Sequence, residues 1–176
     1  MAKKTRSKQQ EKQLDELFVE TLKDIYYAEK KLATALPKMA KAAQSEELAA
    51  AFEKHAEETD IQIERLEEIF AMCDETPKGK TCDAINGLLD EGKEIMSDFK
   101  NSPAHDAGLL AAAQAVEHYE ISRYGTLSAW AKKLGMRDAV KLLEETLTEE
   151  KKTDKDLTAL ATSIVNHMAD PESQAA

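Results

Sequence analysis

The sequence predicts an all-α protein, an antiparallel four-helix bundle with an extra short crossover helix. Three observations carry that expectation. The 176 residues are rich in Ala, Glu, Lys and Leu and include 6 Gly and 4 Pro, so helix formers dominate and helix punctuators are scarce. Apolar residues recur at three- and four-residue spacing through long stretches. Turn residues separate those stretches at matching places in the two halves of the chain. A chain of this length closes one domain with a substantial core.

The first helix starts near Gln13 and ends near Ala43, with a stripe of Leu14, Leu17, Phe18, Leu22, Ile25, Ala28, Leu32, Leu36 and Met39. Pro37 lies within it and predicts a kink or a break. Ser45 is the expected N-cap of a second helix, whose seam of Leu48, Phe52, His55, Thr59, Gln62, Leu66 and Ile69 ends near Met72. Residues 74–80 read as a loop, and a shorter helix over about 82–99 serves as the crossover. Ser102 is the expected cap of the next helix, with Pro103 in its first turn. That helix carries Leu109, Ala113, Glu117, Glu120, Tyr124, Leu127 and Ala131 before Gly135 stops it. A last long helix, from Arg137 to about Met168, presents Val140, Leu143, Leu147, Glu150, Asp154 and Leu157. Residues 13–168 thus form the bundle, between a basic tail over 1–12 and a frayed tail over 169–176.

Charge narrows the function classes. The net charge is −10. Residues 1–12 hold five basic side chains against Glu11, a net of +4, which leaves −14 for the remainder. So acidic a body disfavours specific nucleic-acid binding and anionic membrane surfaces. No run of about 18 apolar residues is present, and the N-terminal stretch lacks the apolar core of a secretory signal. Cytoplasmic residence is the resulting expectation. Cys73 and Cys82 read as free thiols.

The informative residues are acids on the apolar seams. Glu29 and Glu58 flank one helical hairpin, and Glu120 and Glu150 flank another. At about 1.5 Å per residue, Glu29 stands roughly 22 Å and Glu58 roughly 18–20 Å from the turn near residue 44. The second pair is similarly level about Gly135. The halves also align as an internal repeat, Glu29 on Glu120 and Glu58 on Glu150, which gives a pseudo-two-fold axis. Acids inside a bundle are costly unless a cation holds them. Carboxylates with an imidazole, here His55, suit iron or manganese. Glu57 and Glu149, one residue from two of these positions, mark the register that must hold. His118 falls on a different face from Glu117, and His105 and His167 are expected in solvent.

The stretches Asp24-Ile-Tyr-Tyr-Ala-Glu-Lys-Lys-Leu32, His55-Ala-Glu-Glu-Thr-Asp-Ile-Gln-Ile-Glu-Arg65, Ala113-Gln-Ala-Val-Glu-His-Tyr-Glu-Ile121, Tyr124-Gly-Thr-Leu127 and Glu144-Glu-Thr-Leu-Thr-Glu-Glu-Lys-Lys-Thr-Asp154 resemble the YciF/YciE bacterial stress-protein family, a branch of the ferritin-like superfamily. The resemblance runs over residues 14–165. It implies a ferritin-like bundle, a homodimer, and a stress role in peroxide or metal handling. The superfamily's di-iron pattern pairs a Glu on each of two helices with Glu-x-x-His on the other two. Glu29 and Glu120 match the single acids; Glu58 and Glu150 match the acid of the paired motif. The partner histidines are absent, with Ile61 and Thr153 in their places. Gln62 and Asp154 at i+4, His55 at i−3, and Glu117 are the candidate substitutes. Glu58 and Glu150 are the expected bridges between two Fe or Mn ions per chain, iron ahead of manganese, with Tyr26 or Tyr124 orienting a ligand. Two function classes follow. One is a di-metal oxidoreductase that decomposes hydrogen peroxide or oxidises iron. The other is a non-enzymatic, metal-binding or protective homodimer.

Overall fold

The computed structural model describes residues 12–170. The chain forms α1 (Leu14–Ala42), α2 (Glu46–Met72), α3 (Asp83–Asp98), α4 (His105–Leu134) and α5 (Arg137–Leu160). A π-helical turn, Ala161–Val165, and a last helical turn, α6 (Asn166–Ala169), continue α5. The expected tails over 1–12 and 169–176 fall largely outside the described residues; Ala169 closes α6.

The caps explain most helix ends. Ser45 accepts the backbone N–H of Leu48 at 3.2 Å, as its position predicts. Gly135, at φ 76°, closes α4 in the left-handed conformation that its missing Cβ permits. Two expectations at helix ends are corrected. α1 passes through Pro37 without a break. Ser102 does not cap α4, which begins at His105 after a turn. At the far end, Thr162 and Ser163 donate hydroxyl hydrogen bonds to the carbonyls of Thr158 and Ala159. Hydroxyls competing for those carbonyls fit the local change to a π-turn.

The four long helices form an antiparallel bundle in the order α1–α2–α5–α4 around the core. Cross-helix pairs fix each direction. On α2 and α5, Gln62 meets Glu150 while Arg65 meets Thr146. On α4 and α5, Gln114 meets Thr158 while Ser128 meets Glu144. On α1 and α4, Tyr124 reaches Glu29 while Asp106 reaches Gln44. The α2–α3 connection crosses α1, where the Lys80 N–H bonds the Lys23 carbonyl at 3.0 Å. Helix α3 then lies against α1 and α4, outside the square. Its seam with α4 is tight: a Cβ on Gly108 would lie 2.6 Å from Ile95 Cγ2.

A third correction concerns the start of α4. His105, expected in solvent, is buried, and its Nε2 bonds the Ala42 carbonyl at 3.0 Å. The buried Asp106 accepts the N–H groups of Gln44 at 2.9 Å and of Ser45 at 2.7 Å. Together they clamp the α1–α2 turn and set the height of one hairpin against the other.

Candidate metal centre

Each long helix carries an apolar stripe interrupted near mid-height by buried polar side chains. On α1 the interruption is Glu29, between Ile25 and Leu32. On α2 it is His55, Thr59 and Gln62, between Phe52 and Leu66. On α4 it is Glu117, Glu120 and Tyr124, between Ala113 and Leu127. On α5 it is Glu150, between Leu143 and Leu157. All of these are buried. Because i, i+3 and i+4 positions share a helical face, the four interruptions stack as one polar layer in the core.

One ligand atom from each of His55, Glu117, Glu120 and Glu150 can be chosen so that all lie within 4.8 Å of one another. His55 Nδ1 stands 3.1 Å from Glu117 Oε1, and Nε2 stands 3.7 Å from Glu150 Oε2. Glu29 joins from α1: its carboxyl group neighbours that of Glu120, and Tyr124 donates its hydroxyl hydrogen to Glu29 Oε1. The Gln62 amide donates to Glu150 Oε1.

What distinguishes this layer is how little of it is satisfied. Both oxygens of Glu120, Glu117 Oε2, Glu29 Oε2, Glu150 Oε2, His55 Nε2 and Gln62 Oε1 are buried without a hydrogen-bond partner, and Glu117 Oε1 has only its close approach to His55 Nδ1. Buried polar atoms are rarely left so, and each costs about 1–3 kcal/mol. Burial, with smaller contributions from neighbouring charges, drives the acids toward their neutral forms. Burial first and the Glu150 charge second push the Glu29 carboxyl up to about 8, against the opposing hydrogen bond from Tyr124. Burial likewise pushes Glu117 up to about 8. Glu120 and Glu150 lie well above the usual carboxylate range for the same reason. Burial, with Glu29 beside it, raises the Tyr124 phenol. A divalent cation reverses this preference by favouring carboxylate, and the orphaned oxygens are its natural donors. The residues present therefore fit a metal.

Glu58 is corrected. Its side chain is 24% exposed and pairs with Lys54, and it stands outside the group. Thr59, fully buried, takes the inward position beside it, so Glu58 falls at the stripe's edge. Its Oε2 is buried and unpartnered, which leaves it at the rim of the layer. Asp154 also lies outside the group: at 25% exposure it is held toward α4 by Gln114 at 3.2 Å and His118 at 3.2 Å. The substitutes brought to the centre are His55, Gln62 and Glu117. Tyr124 meets a candidate ligand, whereas Tyr26 bonds Glu67 instead. His118 is exposed, as expected.

One brace is absent from the sequence expectations. Arg65 holds Glu149 through two hydrogen bonds, at 2.6 and 2.9 Å, and Gln62 spans Glu149 and Glu150. This ion pair fixes the register on α5: with Glu149 tied outward, Glu150 faces in. Arg65 lies three residues after Gln62, but no local pattern joins it to residues 84 positions away.

An antiparallel helical bundle with a buried carboxylate–histidine layer defines the class: a bundle protein with a candidate metal centre between its hairpins. The chain belongs to the family described as "Domain of unknown function (DUF892)", whose model matches residues 13–170. It is 46% identical over 160 residues to Protein YciF of Escherichia coli strain K12, covering 90% of this chain and 96% of that one. The crystal structure of the E. coli stress protein YciF superposes with a TM-score of 0.84 at 46% identity, over 89% of this chain and 99% of that one. YcfI from Rhodopseudomonas palustris superposes at 0.82 with 42% identity, over 86% and 96%. A Xanthomonas campestris protein, at 24% identity and a TM-score of 0.69 over 91% and 99% of the two chains, shares the fold.

Proposed function

We propose that this is a stress-response protein whose buried layer holds two divalent metal ions, iron or manganese, and that decomposes peroxide or oxidises iron. The observation that carries the reading is the set of orphaned carboxylate oxygens on Glu29, Glu117, Glu120 and Glu150. Four carboxylates carry four negative charges when ionised, and two divalent ions neutralise them. Hard oxygen donors with one imidazole match iron and manganese. Bound Fe or Mn supplies redox chemistry that splits hydrogen peroxide to water and oxygen, or that oxidises Fe(II).

The chain's own residues set the conditions for that chemistry. His55, Glu117, Glu120 and Glu150, with Glu29 beside them, would hold the ions. Tyr124 orients Glu29, and Gln62 orients Glu150, as supporting hydrogen bonds do around metal ligands. The apolar layers above and below exclude water and strengthen every charge interaction between them. The protein acts as a homodimer in the cytoplasm. No helix among the described residues is long and apolar enough to cross a membrane.

A non-enzymatic metal-binding role is the second reading. Ile61 and Thr153 in place of the usual histidines favour it, and the YcfI relative is described as a candidate structural protein. Loading purified protein anaerobically with Fe(II) or Mn(II) and then adding hydrogen peroxide separates the two. Two ions per chain with peroxide consumption supports the first reading. Two ions without turnover leaves the second, and fewer than one ion per chain overturns both.

A further inference from the structure

We propose that the groove between α1, α3 and α4 binds a long-chain fatty-acid carboxylate, its tail between the helices and its head among lysines at the α3–α4 turn. The inference stands apart from the metal centre. The groove is a cavity of about 220 Å³ with Met39, Leu88, Leu89 and Val116 in its walls and Lys31, Lys38 and Lys93 at its rim. It shares Lys38 and Met96 with a second cavity of about 470 Å³, where Lys41 and Lys100 join them beside Gln44 and the buried His105.

Charge selects the head group. The chain is net −10, yet neither cavity has a carboxylate in its lining. Three further cavities each include glutamates. Lys93 pairs with Asp90 and Lys31 sits over the Tyr27 ring, while Lys38, Lys41 and Lys100 hold no ion pair among the described residues. Three uncommitted ammonium groups around one basin complement a single anion.

Shape selects the tail. α3 is anchored at Ile95 against Gly108, while at Gly92 it carries no side chain, and an added Cβ would touch only Ala112 Cβ of α4, at 3.7 Å. From Lys31 to Lys41 the groove follows about 15 Å of α1, which matches a saturated chain of about twelve carbons.

The test is calorimetric titration of the full-length protein with sodium dodecanoate, below its micelle concentration, alongside dodecylammonium chloride. The expected result is one saturable dodecanoate site per chain and no matching dodecylammonium site. Lys38→Glu with Lys41→Glu should weaken dodecanoate at least tenfold, and Ala35→Trp should abolish the site by filling the slot. Circular-dichroism melts verify that both variants fold. Lys38 is exposed, so its reversal leaves packing intact. Absence of saturable binding by the unmodified protein overturns the proposal, as does equal binding of the two amphiphiles or unchanged binding by both folded variants. A shift in oligomeric state with the variants, and no dodecanoate binding, assigns the groove to a second copy of the chain instead.

Discussion

The buried acids make a sharp claim about the metal-free protein: it loses stability as pH rises from 5 to 7. Glu29 and Glu117 titrate near 8 when folded, well above the ordinary 4.5 of an exposed glutamate. A raised folded pKa contributes stability that is complete below the unfolded value and lost as pH climbs through the folded one. Between pH 5 and 7 the unfolded chain has released both protons and the folded chain still holds them. At about 1.36 kcal/mol per proton per pH unit, two protons over two units cost about 5 kcal/mol. Glu120 and Glu150, also raised, act in the same direction. Glu149 acts oppositely, because burial raises it but the hydrogen bonds from Arg65 and Gln62, with the nearby positive charges, together hold it low; such groups have gained nearly all their stability by pH 5–6. For a domain of this size, about 5 kcal/mol moves the melting temperature by roughly 10–20 °C. The assay is calorimetry of chelator-treated protein from pH 5 to 8, repeated with excess Mn(II). The metal-free melting temperature should fall steadily and Mn(II) should restore it at pH 7.5, since binding ions requires the ionised acids. A metal-free melting temperature that stays flat or rises over this range refutes the reasoning.

Three further outcomes follow from named contacts. Glu150→Gln should reduce bound metal to one ion per chain or fewer by elemental analysis, whereas Glu58→Gln should leave the count at two; the reverse pattern would restore Glu58 to the centre. Tyr124→Phe removes the hydrogen bond that orients Glu29 and should weaken metal affinity about 10–100-fold without unfolding the chain, read by competition with a chelator. Asp106→Ala strips the α1–α2 turn of its hydrogen bonds to Gln44 and Ser45, so denaturant melts should show a loss of about 2–4 kcal/mol at unchanged metal content.

Local chemistry made much of the fold legible. Ser45 and Gly135 announce helix ends through interactions within a few residues, and Glu120 and Glu150 stand out because they displace apolar residues in the middle of a seam. What the sequence could not settle was helical phase near a stripe's edge. Glu58 and Thr59 differ by about 100° around α2, and the contact with α5 decides which of them faces inward. His55 and Glu58 are three residues apart, so both fit one approximate face, and the structure gives the inward place to His55. The missing clamp is a different case. His105 and Asp106 look like an exposed helix start, because their partners Ala42, Gln44 and Ser45 lie 61 to 63 positions away. Pro37, expected to kink or break α1, does not break it, and α1 packs on three neighbouring helices.

The most direct measurement is an anomalous-scattering map at the iron and manganese edges, from crystals grown with each metal. Two peaks inside the bundle, one against His55, Glu117 and Glu150 and the other against Glu29 and Glu120, are predicted. A map with no peak among these side chains, or with peaks confined to exposed acids such as Asp90 and Asp156, would contradict it.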